Sequence, residues 1–245
     1  MCALDARPLP SRPELDAYRL LVFDWDGTLM DSVATIVECA RAAFRDLGIG
    51  ELTEATVRGT VGLGLRETVE TLCPGCDQEL FLRVAECYRR LWFATYRELP
   101  LLFPGVAEML DELAGQGYLL AVATGKSRRG LDHDLASTGL AARFHSTRTA
   151  DEARSKPHPQ MLLDILDDLA VAAAAAVMIG DTTYDLEMAR SAGTDAVAVL
   201  SGTQTRRQLE PLAPRAFLRE IVELPAWLAA AERPAAAPAA SAGRI

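Results

Sequence analysis

The sequence predicts an α/β protein: a Rossmann-like, doubly wound parallel sheet with an all-helical segment inserted into it. Three observations carry that expectation. From Pro104 onward, short apolar runs alternate with helical patterns, which calls for βαβ crossovers. Several of these runs end in Asp or Thr, and an open parallel sheet binds its ligands at the carboxyl ends of its strands. Between Ser32 and about Pro100 the chain shows helical periodicity and no strand candidate.

Leu20-Leu21-Val22-Phe23 is a continuous apolar run and reads as a strand buried on both faces. It leads directly into Asp24, Trp25, Asp26, Gly27 and Thr28. Alternation along an extended chain puts Asp24 and Asp26 on the same side. Two carboxylates that close repel each other unless a cation or a proton intervenes. Such a pair binds a divalent metal, keeps one member protonated as an acid, or does both.

Asp31-Ser32 then supply an N-cap for a helix in which Val33, Ile36, Val37, Ala40, Phe44 and Leu47 recur at helical spacing. Gly48 and Gly50 stop it. A short helix from Thr53 to Arg58, another from Leu65 to about Leu72 and a long one opened by Asp77 follow. Beyond Pro104, a helix from Gly105 to Gly115 precedes a strand from Tyr118 to Ala123, which ends in Thr124-Gly125. A helix over about 127–137 leads to a weak strand near Phe144 to Thr147. Helix Pro159 to Leu169, strand Val177 to Ile179 ending in Gly180-Asp181, helix Tyr184 to Ser191 and strand Ala196 to Leu200 continue the alternation. A short strand at Ala216 to Leu218 and a helix to Ala230 close it. The expected division is a lead-in over 1–17, a sheet domain over 18–31 and 101–230, and a helical domain over 32–100. The Ala/Pro-rich tail, 231–245, is too poor in large apolar groups to pack and is expected to be disordered.

At 245 residues, half of them hydrophobic, the chain is long enough for a full core. Its net charge of −9 argues against a nucleic-acid surface, which needs clustered Lys and Arg. No stretch reaches the ~18 apolar residues of a membrane span, and no apolar signal region follows the N-terminus. Five irregularly placed cysteines point to reduced thiols and a cytoplasmic setting. Cys73-Pro74-Gly75-Cys76 has the spacing of half a zinc site or a redox pair, but a Pro-Gly turn between helices accounts for it equally well. Monomer and homodimer are both compatible with this composition.

Asp24-Trp25-Asp26-Gly27-Thr28-Leu29 resembles the first motif of the haloacid dehalogenase-like hydrolases, the superfamily of aspartate-nucleophile phosphatases. The order of the later groups is similar too: Thr124, then Lys156 in Ser155-Lys156-Pro157-His158-Pro159, then Gly180-Asp181 with Asp185 beyond. Gly62-Leu63-Gly64-Leu65 and the overall spacing resemble the phosphoglycolate phosphatase branch.

The resemblance implies that Asp24 is the nucleophile, forming an aspartyl-phosphate, and that Asp26 is the general acid and base. Thr124 and the following amides, Gly125 first, would hold the phosphoryl oxygens, with Lys156 as a fixed positive charge beside them. It implies Mg²⁺ held by the side chains of Asp24 and Asp181 and the main-chain carbonyl of Asp26. Asp185 would act through water or by orienting Lys156, or else serve as an ordinary first-turn acid. The helical insertion resembles the family's mobile cap, in which Arg66 either meets a carboxylate or second phosphate of the substrate or is a surface arginine. Trp25 reads as core packing and His158 as a loop histidine; Lys126, Arg128 and Arg129 crowd a helix N-terminus, where either one of them offsets substrate charge or all are solvated surface, the default. The function implied is a Mg²⁺-dependent phosphatase of a small phosphorylated metabolite, phosphoglycolate-like. A sugar phosphomutase of the β-phosphoglucomutase type shares the core. A phosphoacceptor module without turnover is a third class, but it would be a much shorter chain without a cap. Dehalogenases lack the second Asp, so Asp26 favours phosphoryl transfer.

Overall fold

The computed structural model describes residues 18–95 and 102–231. The expectations for 1–17 and for the tail beyond Ala231 lie outside the described residues. Strand β1 (Leu20–Phe23) is followed by four helices: α1 (Val33–Asp46), α2 (Glu54–Arg58), α3 (Leu65–Leu72) and α4 (Gln78–Thr95). Then come α5 (Val106–Gly115), β2 (Leu119–Thr124), α6 (Arg128–Thr138) and β3 (Ser146–Thr149). The chain continues through α7 (Gln160–Leu169), β4 (Ala176–Gly180), α8 (Thr183–Ala192) and β5 (Asp195–Val199). It ends with α9 (Arg206–Leu209), β6 (Ala216–Leu218) and α10 (Leu224–Ala231).

Among the described residues the sheet has six strands in the order β3-β2-β1-β4-β5-β6, every pair parallel. Leu20 lies opposite Leu119 on one side and Ala176 on the other, so β1 is paired along both edges. Chain progression runs outward through β2 and β3 on one side and through β4, β5 and β6 on the other. The direction therefore switches between β1 and β4, and an open sheet forms its ligand crevice at the carboxyl end of such a switch.

Side-chain alternation divides the core into two layers. Leu21, Phe23, Leu120, Val122, Val177 and Ile179 pack with Leu110, Leu113, Leu131, Leu224 and Leu228 from α5, α6 and α10. Leu20, Val22, Ala121 and Met178 pack with Met161, Ile165, Met188 and Ala189 from α7 and α8. Each large apolar side chain so buried contributes roughly 1.5–3 kcal/mol, which fixes the strand ends that carry the acids. The inserted helices build separate small clusters, Val37, Ala40 and Val57 in one, Phe44, Val69 and Val84 in another.

Three local expectations are revised. Edge strand β3 begins at Ser146 rather than Phe144. Its residues are polar, and Phe144 instead meets Trp25 edge-on at 6.0 Å between ring centroids. Ser32 occupies the N-cap position of α1, but its side chain makes no capping bond. The hydroxyl is engaged elsewhere, as described below. At Cys73-Pro74-Gly75-Cys76, Gly75 adopts φ 80° and the Cys76 N–H donates to the Cys73 carbonyl at 3.1 Å, a turn between α3 and α4 with both thiols free. Asp77 does open α4, its Oδ1 accepting from the Leu80 N–H at 2.8 Å. Among the described residues no helix is long and apolar enough to cross a membrane.

Candidate active site

Asp24 is the first residue past β1, and its N–H still donates to the Ile179 carbonyl of β4 at 2.9 Å. The sheet thus aims a buried carboxylate into the switch-point crevice. Lys156 Nζ lies 2.6 Å from Asp24 Oδ1 and 2.6 Å from Asp185 Oδ1, with all three side chains buried. Neither Asp24 oxygen accepts a hydrogen bond of good geometry. Asp181 follows β4; its Oδ1 accepts from Thr28 Oγ1 at 3.0 Å and its Oδ2 from the Thr203 N–H at 2.6 Å. A Cβ at Gly27 or Gly202 would stand 2.5 or 2.2 Å from Asp181 Oδ2, so backbone without side chains leaves that carboxylate its place.

Asp185 does two things at once. Its Oδ2 accepts from the Thr182 N–H at 3.0 Å and from Thr182 Oγ1 at 2.7 Å, completing a capping box at the start of α8. Its Oδ1 holds Lys156. The first-turn acid and the lysine-orienting acid are one residue, each oxygen serving one role.

One oxygen from each of Asp24, Asp181 and Asp185 lies within 4.8 Å of the others. Burial pushes Asp24 well above the ordinary carboxylate range; Lys156 draws it back, while Asp185 and Asp181 push it further up. Burial, reinforced by the charge on Asp185, raises Asp181 to about 6 against the bonds from Thr203 and Thr28. Crowded carboxylates, one of which accepts no hydrogen bond, with no soft ligand among them suit a hard divalent cation.

Asp26 points into a second network. Its Oδ1 accepts from Ser32 Oγ at 2.6 Å, which is where the hydroxyl missing from the α1 cap goes. Lys126 Nζ reaches Asp26 Oδ1 at 2.9 Å and Oδ2 at 3.1 Å, lies 3.2 Å from Asp134 Oδ2, and sits 4.3 Å above the Trp92 ring. Trp25 Nε1 donates to Asp134 Oδ2 at 2.9 Å, so Trp25 is core packing with a polar anchor. Solvated surface, the default expectation for Lys126, is thus corrected. Ser127 caps α6, its hydroxyl accepting from the Gly130 N–H, and Lys126 precedes the helix and turns inward. Burial opposes its charge, but Asp26 and Asp134 outweigh that and raise the ammonium pKa. Thr124 is buried at the end of β2 and accepts from the Lys126 N–H at 3.2 Å; it is not the cap of α6.

Residues 21–199 match the family model described as Haloacid dehalogenase-like hydrolase. The chain belongs to that family. Among curated relatives, "Probable phosphatase IndB" of Dickeya dadantii is 38% identical over 213 residues, covering 84% of this chain and 91% of that one. "Phosphoglycolate phosphatase, plasmid" of Cupriavidus necator is 34% identical over 215 residues, 85% of this chain and 92% of that one. The crystal structure of a hydrolase from Pseudomonas syringae superposes with a TM-score of 0.79 over 86% of this chain and 97% of its own, at 22% identity, a likeness of fold.

In this haloacid dehalogenase-like hydrolase the inserted segment rests on the loops after β2 and β3 and on the start of α8. Gly64 N–H donates to Ser155 Oγ at 2.8 Å, and Tyr184 Oη donates to the Gly59 carbonyl at 2.8 Å. A Cβ on Gly125 would stand 2.4 Å from the Leu63 carbonyl oxygen and 2.5 Å from that of Gly62. Gly125→Ala should therefore push the inserted segment off the crevice. Because misplacing a site by about 1 Å can cost 10²-fold, we expect kcat/KM to fall by about that factor in steady-state assays, with the thermal midpoint little changed.

Arg66 is the one predicted site residue that the structure does not bring to the carboxylates. Its guanidinium lies 4.2 Å over the Phe81 ring, donates to Gln78 Oε1 at 3.2 Å and pairs with Glu70 at 3.7 Å, all within the insertion. Arg128 pairs with Glu152 at 2.6 Å and Arg129 stacks 4.8 Å over Phe93. His158 Nδ1 accepts from the Gln160 N–H at 3.2 Å, a loop contact. Asp134 is the site group that sequence reasoning passed over; it reads Ser32 only as an N-cap and does not anticipate the pairing of Lys126 with Asp26.

Proposed function

We propose that this hydrolase is a Mg²⁺-dependent phosphatase that cleaves a small phosphomonoester through an aspartyl-phosphate on Asp24. The observation that carries the reading is the buried Asp24 carboxylate, its Oδ1 2.6 Å from Lys156 Nζ and its Oδ2 without a hydrogen-bond partner, at the crevice of a chain whose relatives are named phosphatases.

An Asp24 oxygen attacks phosphorus as the bond from phosphorus to the alcohol oxygen breaks. The departing oxygen takes a proton from Asp26, so a neutral alcohol leaves. Asp26 then removes a proton from water, which attacks phosphorus and releases inorganic phosphate and the free Asp24 carboxylate. Thr124 and the amide of Gly125 hold the equatorial oxygens, and Lys156 offsets their charge. Asp24, Asp181 and the main-chain carbonyl of Asp26, with Asp185 alongside, would hold Mg²⁺. The ion would neutralise phosphoryl charge in a pocket otherwise dominated by acids. Residues 32–100 form the cap domain of this proposal and 18–31 with 101–230 its catalytic domain; closure of the cap excludes water. The free thiols Cys73, Cys76 and Cys87 support a reducing, cytoplasmic setting.

Phosphate release from p-nitrophenyl phosphate tests the reading. Turnover is expected with Mg²⁺ and should vanish in excess EDTA, returning when Mg²⁺ is restored. Full turnover in EDTA would remove the metal from the scheme.

A further inference from the structure

A cavity of about 120 Å³ lies between the crevice and the inserted helices. Its lining joins Asp24 and Asp26 to Phe44, Val61, Val69 and Val84. These four apolar side chains are each at most 5% exposed. The space next to the reacting carboxylates therefore extends into the hydrocarbon interior of the insertion, where the two apolar clusters of α1, α2, α3 and α4 meet it.

Charge is poorly served there. Of the cations lining the cavity, Lys126 is already shared between Asp26 and Asp134, and Arg89 is an exposed residue of α4. Arg66 is turned to Gln78 and Glu70 and is not part of the lining. A carboxylate or second phosphate entering the apolar part of this space would lose its water among Phe44, Val61, Val69 and Val84, with only the exposed Arg89 as a cation not already committed to carboxylates, which is unfavourable. An apolar group entering it gains by leaving water. Apolar cavities of on the order of 150 Å³ stay dry and accept an aromatic ring, so the size is also informative.

We propose that the alcohol half of the ester cleaved here is uncharged and apolar, about the size of one aromatic ring or a short hydrocarbon chain, and is seated in this cavity. This inference rests on the phosphatase reading above and narrows it to a substrate class. The phosphoryl group passes to Asp24 while the alcohol oxygen takes the proton of Asp26, leaving a neutral apolar alcohol as first product. Water then regenerates Asp24 and gives inorganic phosphate.

The test compares kcat/KM, with Mg²⁺, for 2-phenylethyl phosphate, ethyl phosphate and 2-phosphoglycolate. All three are esters of primary alcohols, so the leaving oxygen is chemically alike. The phenylethyl ester should exceed both others by about tenfold or more, chiefly through KM, as expected for transfer of several carbon groups out of water. Ala40→Phe, which fills the cavity from α1, should reduce that advantage to within about threefold. Should this variant fail to fold, the wild-type comparison decides alone. Equal or better use of 2-phosphoglycolate would overturn the substrate class while leaving the phosphatase standing. Absence of phosphate release from all three esters and from p-nitrophenyl phosphate would overturn both.

Discussion

Asp24→Asn should lower turnover of any phosphomonoester by about 10⁴–10⁶-fold, the scale seen when a covalent nucleophile is removed. The substitution keeps the shape of the side chain and removes one of three crowded buried charges. Lys156 retains Asp185 at 2.6 Å, so the ammonium is not stranded. The variant should accordingly remain folded, and the loss belongs to chemistry. Single-turnover phosphate release with Mg²⁺ measures it. Activity within tenfold of the parent protein would mean that another group attacks phosphorus.

Lys156→Met should have the largest effect on stability. Its ammonium is buried and touches two carboxylates, and Asp181 stands in the same cluster. Removing one partner of a buried charge cluster costs about 3–5 kcal/mol, because the other charges remain in low dielectric without compensation. For a chain of this length that corresponds to a fall in thermal midpoint of roughly 10 °C. Because a bound cation stabilises the folded state by mass action, Mg²⁺ should raise the midpoint more in Lys156→Met than in the parent. Calorimetry with and without Mg²⁺ checks both parts. A midpoint unmoved by the substitution in EDTA would show that the ion pairs contribute no net stability.

The sheet was legible because its buried strands announce themselves. Leu20–Phe23, Leu119–Thr124 and Ala176–Gly180 are apolar throughout and end at Asp24, Thr124 and Gly180 before Asp181, which is how a strand covered on both faces and closed by a reactive loop must read. Edge strand β3 was displaced by two residues because Ser146–Thr149 carries no such signal. The default reading of Lys126 as solvated surface failed for a different reason. A cation near a helix N-terminus is disfavoured only if its charge stays there, and the four-carbon stem carries this one to Asp26, a hundred residues away in sequence. Ser32 followed the same pattern: its helix-start position was readable, but the acceptor that claimed its hydroxyl depends on how the loop after β1 folds back. Which acids would meet could be inferred from strand ends, whereas the apolar character of the adjoining cavity required the packing of four helices that share no sequence signature with the sheet.

The placement of the three tryptophans equips the molecule with an optical gauge. Trp92 lines the cavity beneath the Lys126 ammonium, and Trp25 is bonded to the carboxylate that shares that ammonium. Trp227 stacks on Tyr18 just before β1, at the amino-terminal end of the strands and so opposite the crevice, with ring centroids 5.9 Å apart. Anything that enters or leaves the cavity alters the surroundings of the first pair and leaves the last alone. Intrinsic fluorescence can therefore follow occupancy in real time, with an internal reference built into the same chain.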